Sequence, residues 1–342
     1  MAVIAHLSAL ECYRDKGILD LVRARTREGA YAAGPVRLTP PSSSDASSIA
    51  ERLGLRVPLH VLVGDGARRN RSGAVWCHAW SNDIDPSCLL NLDDDIYLVT
   101  PSFLYQQLCA RADLENRYML ASELLGKYAI SPEKPKGLLK RDPLITKADL
   151  ISELGSREGE FGYAPALEAA RLAFEKARSP KEAEIAALYS FNRRLGGRGI
   201  EELEVAKRLD LTPEASRMAR RQWLEFDHYL PVARQDHEYD SDDNHLTREA
   251  HEKDIRRGHA LKMMGMELRI MTNGQLHDWE TFDTLAEHLA LDNGRTYRHT
   301  SPAIKERQRW LWERLLFGKR VNGKTVFDGS GWRGRLKADK SW

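Results

Sequence analysis

The chain has 342 residues, 42% hydrophobic and 30% charged, and its 52 Lys and Arg against 50 Asp and Glu give a formal charge of +2. That profile suits an ordinary soluble protein long enough for two domains with cores of their own. No stretch approaches the roughly 18 apolar residues of a membrane helix and the N-terminus lacks a signal-peptide pattern, so a cytoplasmic protein with no membrane partner is expected.

The four cysteines, Cys12, Cys77, Cys88 and Cys109, show no CxxC spacing, which argues for buried thiols over a zinc knuckle or a disulfide framework. Charge is unevenly spread. Residues 293 to 342 hold thirteen Lys or Arg against four Asp or Glu, a local balance of +9 that leaves −7 for the rest. Interleaved with Tyr297, Trp310, Trp312, Phe317, Trp332 and Trp342, this basic end suits a polyanion partner; an amphipathic helix with a solvated basic face is the other reading.

Along the chain, residues 5 to 30 read as one or two short helices, with Leu7, Leu10, Leu19 and Val22 at helical spacing. Pro35 to Ser48 is a Pro/Ser-rich loop, and a helix can start at Ser47. Leu59 to Val63 and Ala74 to Trp80 read as the two strands of a hairpin. The connector carries Arg68, Arg69 and Arg71, either a phosphate contact or simply an exposed turn. Asn91 to Thr100 reads as a turn and a strand, its aspartates more readily a solvated turn than a metal site. Helices follow from Pro101 and over Glu115 to Tyr128.

Three prolines between Ser131 and Pro143 mark a linker. Helical patterns resume at Thr146 to Leu154 and at Ala166 to Arg178. Ser179-Pro180 is a strong helix start, and Glu182 lies on the same face as Ile185 and Tyr189. An inward carboxylate there must be paired, protonated or metal-bound. Glu201 to Arg221 weakly suggests a helix-turn-helix and is read as a helix-loop insert. The predicted organisation is an N-terminal mixed α+β domain over 1–130, a linker with helices over 131–178, a second domain over 179–292 and a basic aromatic extension over 293–342.

The stretch from Trp223 to Thr272 concentrates the chemistry. Residues two apart on a strand share a face, so Glu238 and Asp240 point together, and Asp227 can face them from the neighbouring strand of a hairpin. Converging carboxylates repel one another unless they share a hard divalent cation, which can activate water and stabilise the leaving oxygen of a phosphodiester. His245 is placed to act as a base or a phosphate contact. A polar surface loop is the alternative reading.

Glu182 after Ser-Pro, Asp227, Glu238-Tyr-Asp240, His245, Asp254-Ile-Arg-Arg257, Leu261, Gly265 and Leu268-Arg269 follow one another in an order that resembles the PD-(D/E)XK nuclease superfamily. The similarity is to its branch near the very-short-patch repair endonucleases, and it spans residues 179 to 290. It implies an α/β (α+β) restriction-endonuclease-like domain, a mixed sheet flanked by helices, and Mg²⁺- or Mn²⁺-dependent hydrolysis of DNA in defence or repair. By the same resemblance Asp227 and Glu238 are the metal ligands and Glu182 completes or orients the site. Asp240 and His245 then flank the phosphate, and Arg257 binds an anion or braces its helix. A salt bridge of Arg257 with Asp254 or Asp240 is the structural alternative.

Arg307, Arg309, Arg314, Lys319 and Arg320 are the remaining expected nucleic-acid contacts. The sequence departs from the superfamily in three places. Asp240 replaces the usual Lys, Ala233 to His237 is polar where apolar residues are usual, and His228 follows Asp227. Ala5 to Leu10 and the Leu59-to-Trp80 segment resemble abortive-infection antitoxin regulators. The second reading of the whole is therefore an inactive nuclease-fold DNA-binding regulator with an operon or toxin partner.

Overall fold

The computed structural model describes residues 2–64, 71–93, 95–131, 134, 137–240, 248–296, 300–318, 320–321 and 324–325. His245, Lys319, Arg68, Arg69, Tyr297, Trp332 and Trp342 lie outside the described residues, and Arg71 and Arg320 are described as backbone alone. The chain is mixed α+β and divides into two compact units, residues 2–124 with 129–171, and residues 125–128 with those from 172 on. No helix among the described residues is long and apolar enough to cross a membrane.

The first unit runs β1 (Ala2–Ile4), α1 (His6–Arg14), α2 (Lys16–Arg27), α3 (Ser43–Leu53), β2 (Leu59–Val63), β3 (Arg71–Ser72), β4 (Val75–Ala79), β5 (Leu89–Asp93), β6 (Ile96–Val99), α4 (Pro101–Cys109) and α5 (Leu114–Leu124). It is completed by β8 (Leu138–Lys140), paired with β7 (Tyr128–Ile130), and by α6 (Lys147–Gly155) and α7 (Tyr163–Leu172). The segment expected to be linker and helices thus supplies α6 and α7 to this unit.

Six strands form one sheet in the order β3-β4-β2-β1-β6-β5. The expected hairpin over 59–80 is not formed: β2 and β4 run parallel, Leu59 beside Val75 and Val63 beside Ala79. Alternation of apolar residues marks strands but carries no direction, and the connector is long enough to return the chain to the same end. Asp93 and Asp95 flank the turn of the antiparallel β5–β6 pair, where Asp93 pairs with Arg52 at 3.0 Å. All four cysteines are free and buried, as their spacing suggests.

The second unit runs α8 (Pro180–Ser190), β9 (Glu204–Val205), β10 (Arg208–Asp210), α9 (Pro213–Ala219), β11 (Trp223–Glu225), β12 (His228–Leu230), β13 (Gln235–Asp240), α10 (Arg248–Met263), β14 (Glu267–Thr272), α11 (Asn273–His277), α12 (Trp279–Asp292), α13 (Pro302–Phe317), β15 (Arg320–Val321) and β16 (Lys324–Thr325). The stretch read as a helix-loop insert does contain a helix, α9, but the part before it is extended, because β10 pairs with β11 from Arg208–Glu225 to Asp210–Trp223. Its hydrophobic spacing fits a ribbon as well as a helix, and only the partner strand decides.

The sheet that carries the site is ordered β14-β13-β12-β9. β12 and β13 are antiparallel, with His228 opposite His237, and β13 and β14 are parallel from Gln235–Glu267 to Asp240–Thr272. A parallel neighbour requires a crossover; α10 provides it and ends at Gly265, whose φ of +68° suits a residue without Cβ. Phe226, Leu224, Leu261 and Met266 form a core cluster. Burying the Phe226 side chain is worth roughly 2–3 kcal/mol.

A second core gathers Tyr189, Phe282, Leu311 and Trp312, all buried, and Trp312 Nε1 donates to the Leu276 carbonyl at 2.9 Å. The helical part of the basic C-terminal segment is therefore a core element and not a loose appendage.

Two glycine substitutions separate steric from conformational cost. A Cβ on Gly197 would stand 2.0 Å from the Phe191 carbonyl oxygen, whereas one on Gly265 meets nothing within 4 Å. In urea unfolding, Gly197→Ala is expected to cost about 3 kcal/mol or more, and Gly265→Ala about 1 kcal/mol through its positive φ alone. Equal losses would show that the 191–197 turn is not packed this way.

Candidate active site

Alternation along β13 places Asp236, Glu238 and Asp240 on one face and Gln235, His237 and Tyr239 on the other. The antiparallel register carries Asp227 to the position opposite Glu238, and the two strands are tied there by side chains: the Asp227 N–H donates to Glu238 Oε1 at 3.2 Å, and the Tyr239 N–H donates to Asp227 Oδ2 at 3.0 Å. Of the expected site residues, Glu182, Asp227 and Glu238 are thus brought into one hydrogen-bonded cluster. Asp240 stands half-buried at the end of the same strand face.

Glu182 is fixed by the start of α8. Ser179 caps the helix by accepting the Glu182 N–H at 3.2 Å, Pro180 occupies the first turn, and Glu182 Oε2 accepts the Arg178 N–H at 2.9 Å. The Arg178 guanidinium reaches Glu182 at 3.4 Å and Glu225 at 3.5 Å, and donates to Asp227. Lys127 lies 3.2 Å from the other Glu225 oxygen.

Arg257 resolves the choice between an anion contact and a brace in the direction of a brace. From α10 its Nη2 donates to Asp236 at 2.7 Å, to Glu238 and to the Glu225 carbonyl at 2.9 Å, with Cζ 5.7 Å from the Phe226 ring centre. Its contacts here are Asp236 and Glu238, not the expected Asp254 or Asp240. An Asp254 partner assumes an i, i+3 pair, but the sheet offers buried carboxylates that need a cation more.

Five carboxylates (Glu182, Glu225, Asp227, Asp236, Glu238) therefore face three cations, leaving two negative charges in excess if all ionise. Burial, then the charge of Asp227, lifts Glu182 to about 7. Burial lifts Asp236 to about 6 against the pull of Arg257, and burial with Asp236 and Asp227 lifts Glu238 well above the carboxylate range.

Hard oxygen donors that carry two surplus negative charges once fully ionised match a divalent cation such as Mg²⁺ or Mn²⁺, whose binding would have to release the protons the raised carboxyls hold. The arrangement itself is closed by arginines: among the described residues no three His, Cys, Asp or Glu side chains are grouped to hold an ion. Arg178 and Arg257 stand on Asp227 and Glu238, so a metal must displace at least one of them.

The polar residues that depart from the superfamily's pattern are satisfied in part: Gln235 Oε1 and Asp236 Oδ1 are buried without a hydrogen-bond partner among the described residues, whereas the two histidines are engaged. His228 is fully buried, with Nε2 at 2.8 Å from the Glu182 carbonyl and Nδ1 at 3.2 Å from the His237 carbonyl. His237 Nδ1 lies 3.2 Å from the Tyr189 hydroxyl. Burial lowers both imidazoles, His237 to about 3 with help from His228 and Arg269, while the two carbonyls facing His228 pull its pKa the other way; His237 is therefore a neutral structural group.

Sequence reasoning missed Arg178, Glu225 and Lys127 as members of the cluster, and saw Asp236 only as an ill-fitting polar residue. Asp236 was accessible to it, standing two before Glu238 on the same face. Arg178 and Lys127 carry no signal, because their partners are distant in sequence.

No protein-family model, no curated protein and no solved structure matches the chain.

The raised carboxyls set a pH dependence. A carboxyl with a folded pKa above its unfolded value contributes stability that is complete below the unfolded value and lost as pH rises through the folded one. For Glu182 the window runs from its model-compound value of 4.5 to about 7. Unfolding free energy is expected to fall across that window, by on the order of 3 kcal/mol from this group, and Glu182→Gln should flatten the profile. Equal profiles for wild type and variant would place Glu182 in solvent.

Proposed function

We propose that the second unit is a restriction-endonuclease-like domain that hydrolyses DNA phosphodiesters with Mg²⁺ or Mn²⁺, acting in the cytoplasm in defence or repair. The observation that carries this reading is the β12–β13 register, which sets Asp227 against Glu238 inside a buried cluster short of positive charge. Support also comes from the order of elements: a helix bearing Glu182, an antiparallel pair bearing Asp227 and Glu238, then a crossover helix and a parallel strand.

Asp227 and Glu238 would hold the ion, which when bound supplies a water of lowered pKa and a stabilised leaving oxygen. The chain's own groups prepare that chemistry. Glu182 sits where a proton can be held or released near neutrality, on the rigid first turn of α8. Arg257 braces Glu238 from α10, and Arg178, bonded to Asp227 in this arrangement, carries the positive charge that a displaced side chain can bring to a phosphate. Asp240 and His245 flank the reacting group in this proposal.

DNA backbone contacts fall to Arg307, Arg309 and Arg314 of α13 with Lys319 and Arg320 beyond it. Arg307 lies over Trp310, 4.0 Å from its ring centre, and Arg309 pairs with Glu313 at 3.2 Å. A phosphate has to compete with that pair, and affinity should fall steeply with salt.

The arginine contacts to Asp227 and Glu238 favour a second reading, a regulator that keeps the fold for binding DNA or a toxin partner without cutting.

Two measurements separate the readings. With Mn²⁺ at about 100 times its dissociation constant, a bound ion should stabilise the fold by about 2.7 kcal/mol; Asp227→Asn with Glu238→Gln should abolish that gain. Plasmid DNA should be cut by wild type and at least a thousandfold more slowly by the double variant. Equal cutting by both sinks the catalytic reading, and DNA binding without Mn²⁺ stabilisation supports the regulator. Arg307→Gln with Arg309→Gln is expected to lower the slope of log affinity against log salt by about 2; an unchanged slope removes α13 from the interface.

A further inference from the structure

The first unit holds two cavities whose walls differ in charge. The larger, about 1080 Å³, is lined by seven Asp or Glu against three Arg. The smaller, about 700 Å³, is lined by His6, His78, Gln107, Arg111, Phe161 and Trp80, the last shared with the larger, among others, and among the described residues by no Asp or Glu. In a chain with 50 acidic residues that absence sets its chemistry.

Three of these lining residues keep a buried polar atom with no hydrogen-bond partner among the described residues: His6 Nδ1, Trp80 Nε1 and Gln107 Nε2. Trp80 is 7% and Gln107 4% exposed. An indole or amide N–H can only donate, as can the Arg111 guanidinium, and a buried donor without an acceptor is costly.

The wall is held rigidly. His6 has a φ of +46°, a left-handed conformation that a non-glycine residue keeps only when its surroundings impose it. The imposing contacts are the Gln107 Oε1 that accepts the His6 N–H at 3.3 Å and the His78 ring stacked 3.6 Å away. His78 Nε2 in turn lies 2.9 Å from His60 Nδ1. Burial, His78, His60 and Arg111 hold His6 well below the ordinary histidine range, so a neutral imidazole completes a wall that offers donors and one cation.

We infer that this cavity binds a small organic oxyanion, a carboxylate or a phosphate monoester carried on a planar or apolar body. An exposed arginine and the absence of carboxylates among the described lining residues select the anion, and the unsatisfied donors of Trp80 and Gln107 lie buried in residues of the same wall. Trp80 and Phe161 supply the surface for the organic part, and the volume falls in the range of roughly 300–1,000 Å³ typical of small-molecule sites.

The test is calorimetric titration of the full chain with phenyl phosphate, phenylacetate and, as a cationic match, phenethylamine. At least one anion should bind one-to-one, at least tenfold more tightly than the amine. Binding of phenyl phosphate alone assigns a phosphate ester, and binding of phenylacetate alone a carboxylate. Trp80→Phe, Gln107→Leu and Arg111→Ala should each weaken the anion about tenfold or more, the loss of a hydrogen bond to a charged group. Circular dichroism checks the two buried variants, and Arg111→Ala, on an exposed side chain, reports even if those fail to fold. Absence of binding by both anions, equal binding of phenethylamine, or an affinity unchanged by Arg111→Ala overturns the assignment.

Discussion

Buried negative charge in want of cations governs the second unit. Glu182, Glu225, Asp227, Asp236 and Glu238 come from a helix start and three strands, and none could enter the interior unpaired, because an isolated buried carboxylate costs far more than a domain can spare. Arg257 answers from α10 and Arg178 from the residue before α8. Arg178 spans three carboxylates through its three guanidinium nitrogens, a geometry the planar fork permits and a lysine does not, and Arg257 reaches two through Nη2. The cations therefore set how α8 and α10 meet the sheet, and removing one would leave several charges stranded.

The same arrangement explains how β13 can be polar and central at once. Gln235, Asp236 and His237 sit between β12 and β14, where strands are usually apolar. Gln235 bonds Glu267 at 3.0 Å, Asp236 meets Arg257 and His237 meets Tyr189. Each of these residues is tied to another element, although Gln235 Oε1 and Asp236 Oδ1 keep no hydrogen-bond partner among the described residues, so the strand's hydropathy says little about its depth. A site built this way is preorganised and closed, and opening it requires something that replaces an arginine's charge.

The first unit follows another logic. Its sheet core is apolar, and its polar interest lies in a wall of donors beside a cavity, held by the strained backbone of His6 and by the His6–His78 stack. One unit thus carries a cavity rich in carboxylates and another with none among its described lining residues, Trp80 being common to both, which a mean charge near zero conceals.

Much of the local structure was legible in the sequence. Ser179-Pro180 announces α8, Gly265 ends α10, and the Glu238-Tyr-Asp240 alternation places its carboxylates on one face. These are short-range consequences of backbone geometry and hydrogen bonding, and they need no partner. Even the convergence of Asp227 and Glu238 was within reach, since a hairpin of this length has few registers.

Tertiary structure alone decided the rest. The parallel pairing of β2 with β4, the strand pairing of Arg208 to Asp210, and the partners of Arg257 and Arg178 join residues up to about a hundred positions apart, as Lys127 and Glu225 are. Hydropathy spacing encodes which residues turn inward; it does not encode whom they meet there, because a salt bridge between distant segments leaves no mark on either segment's own sequence.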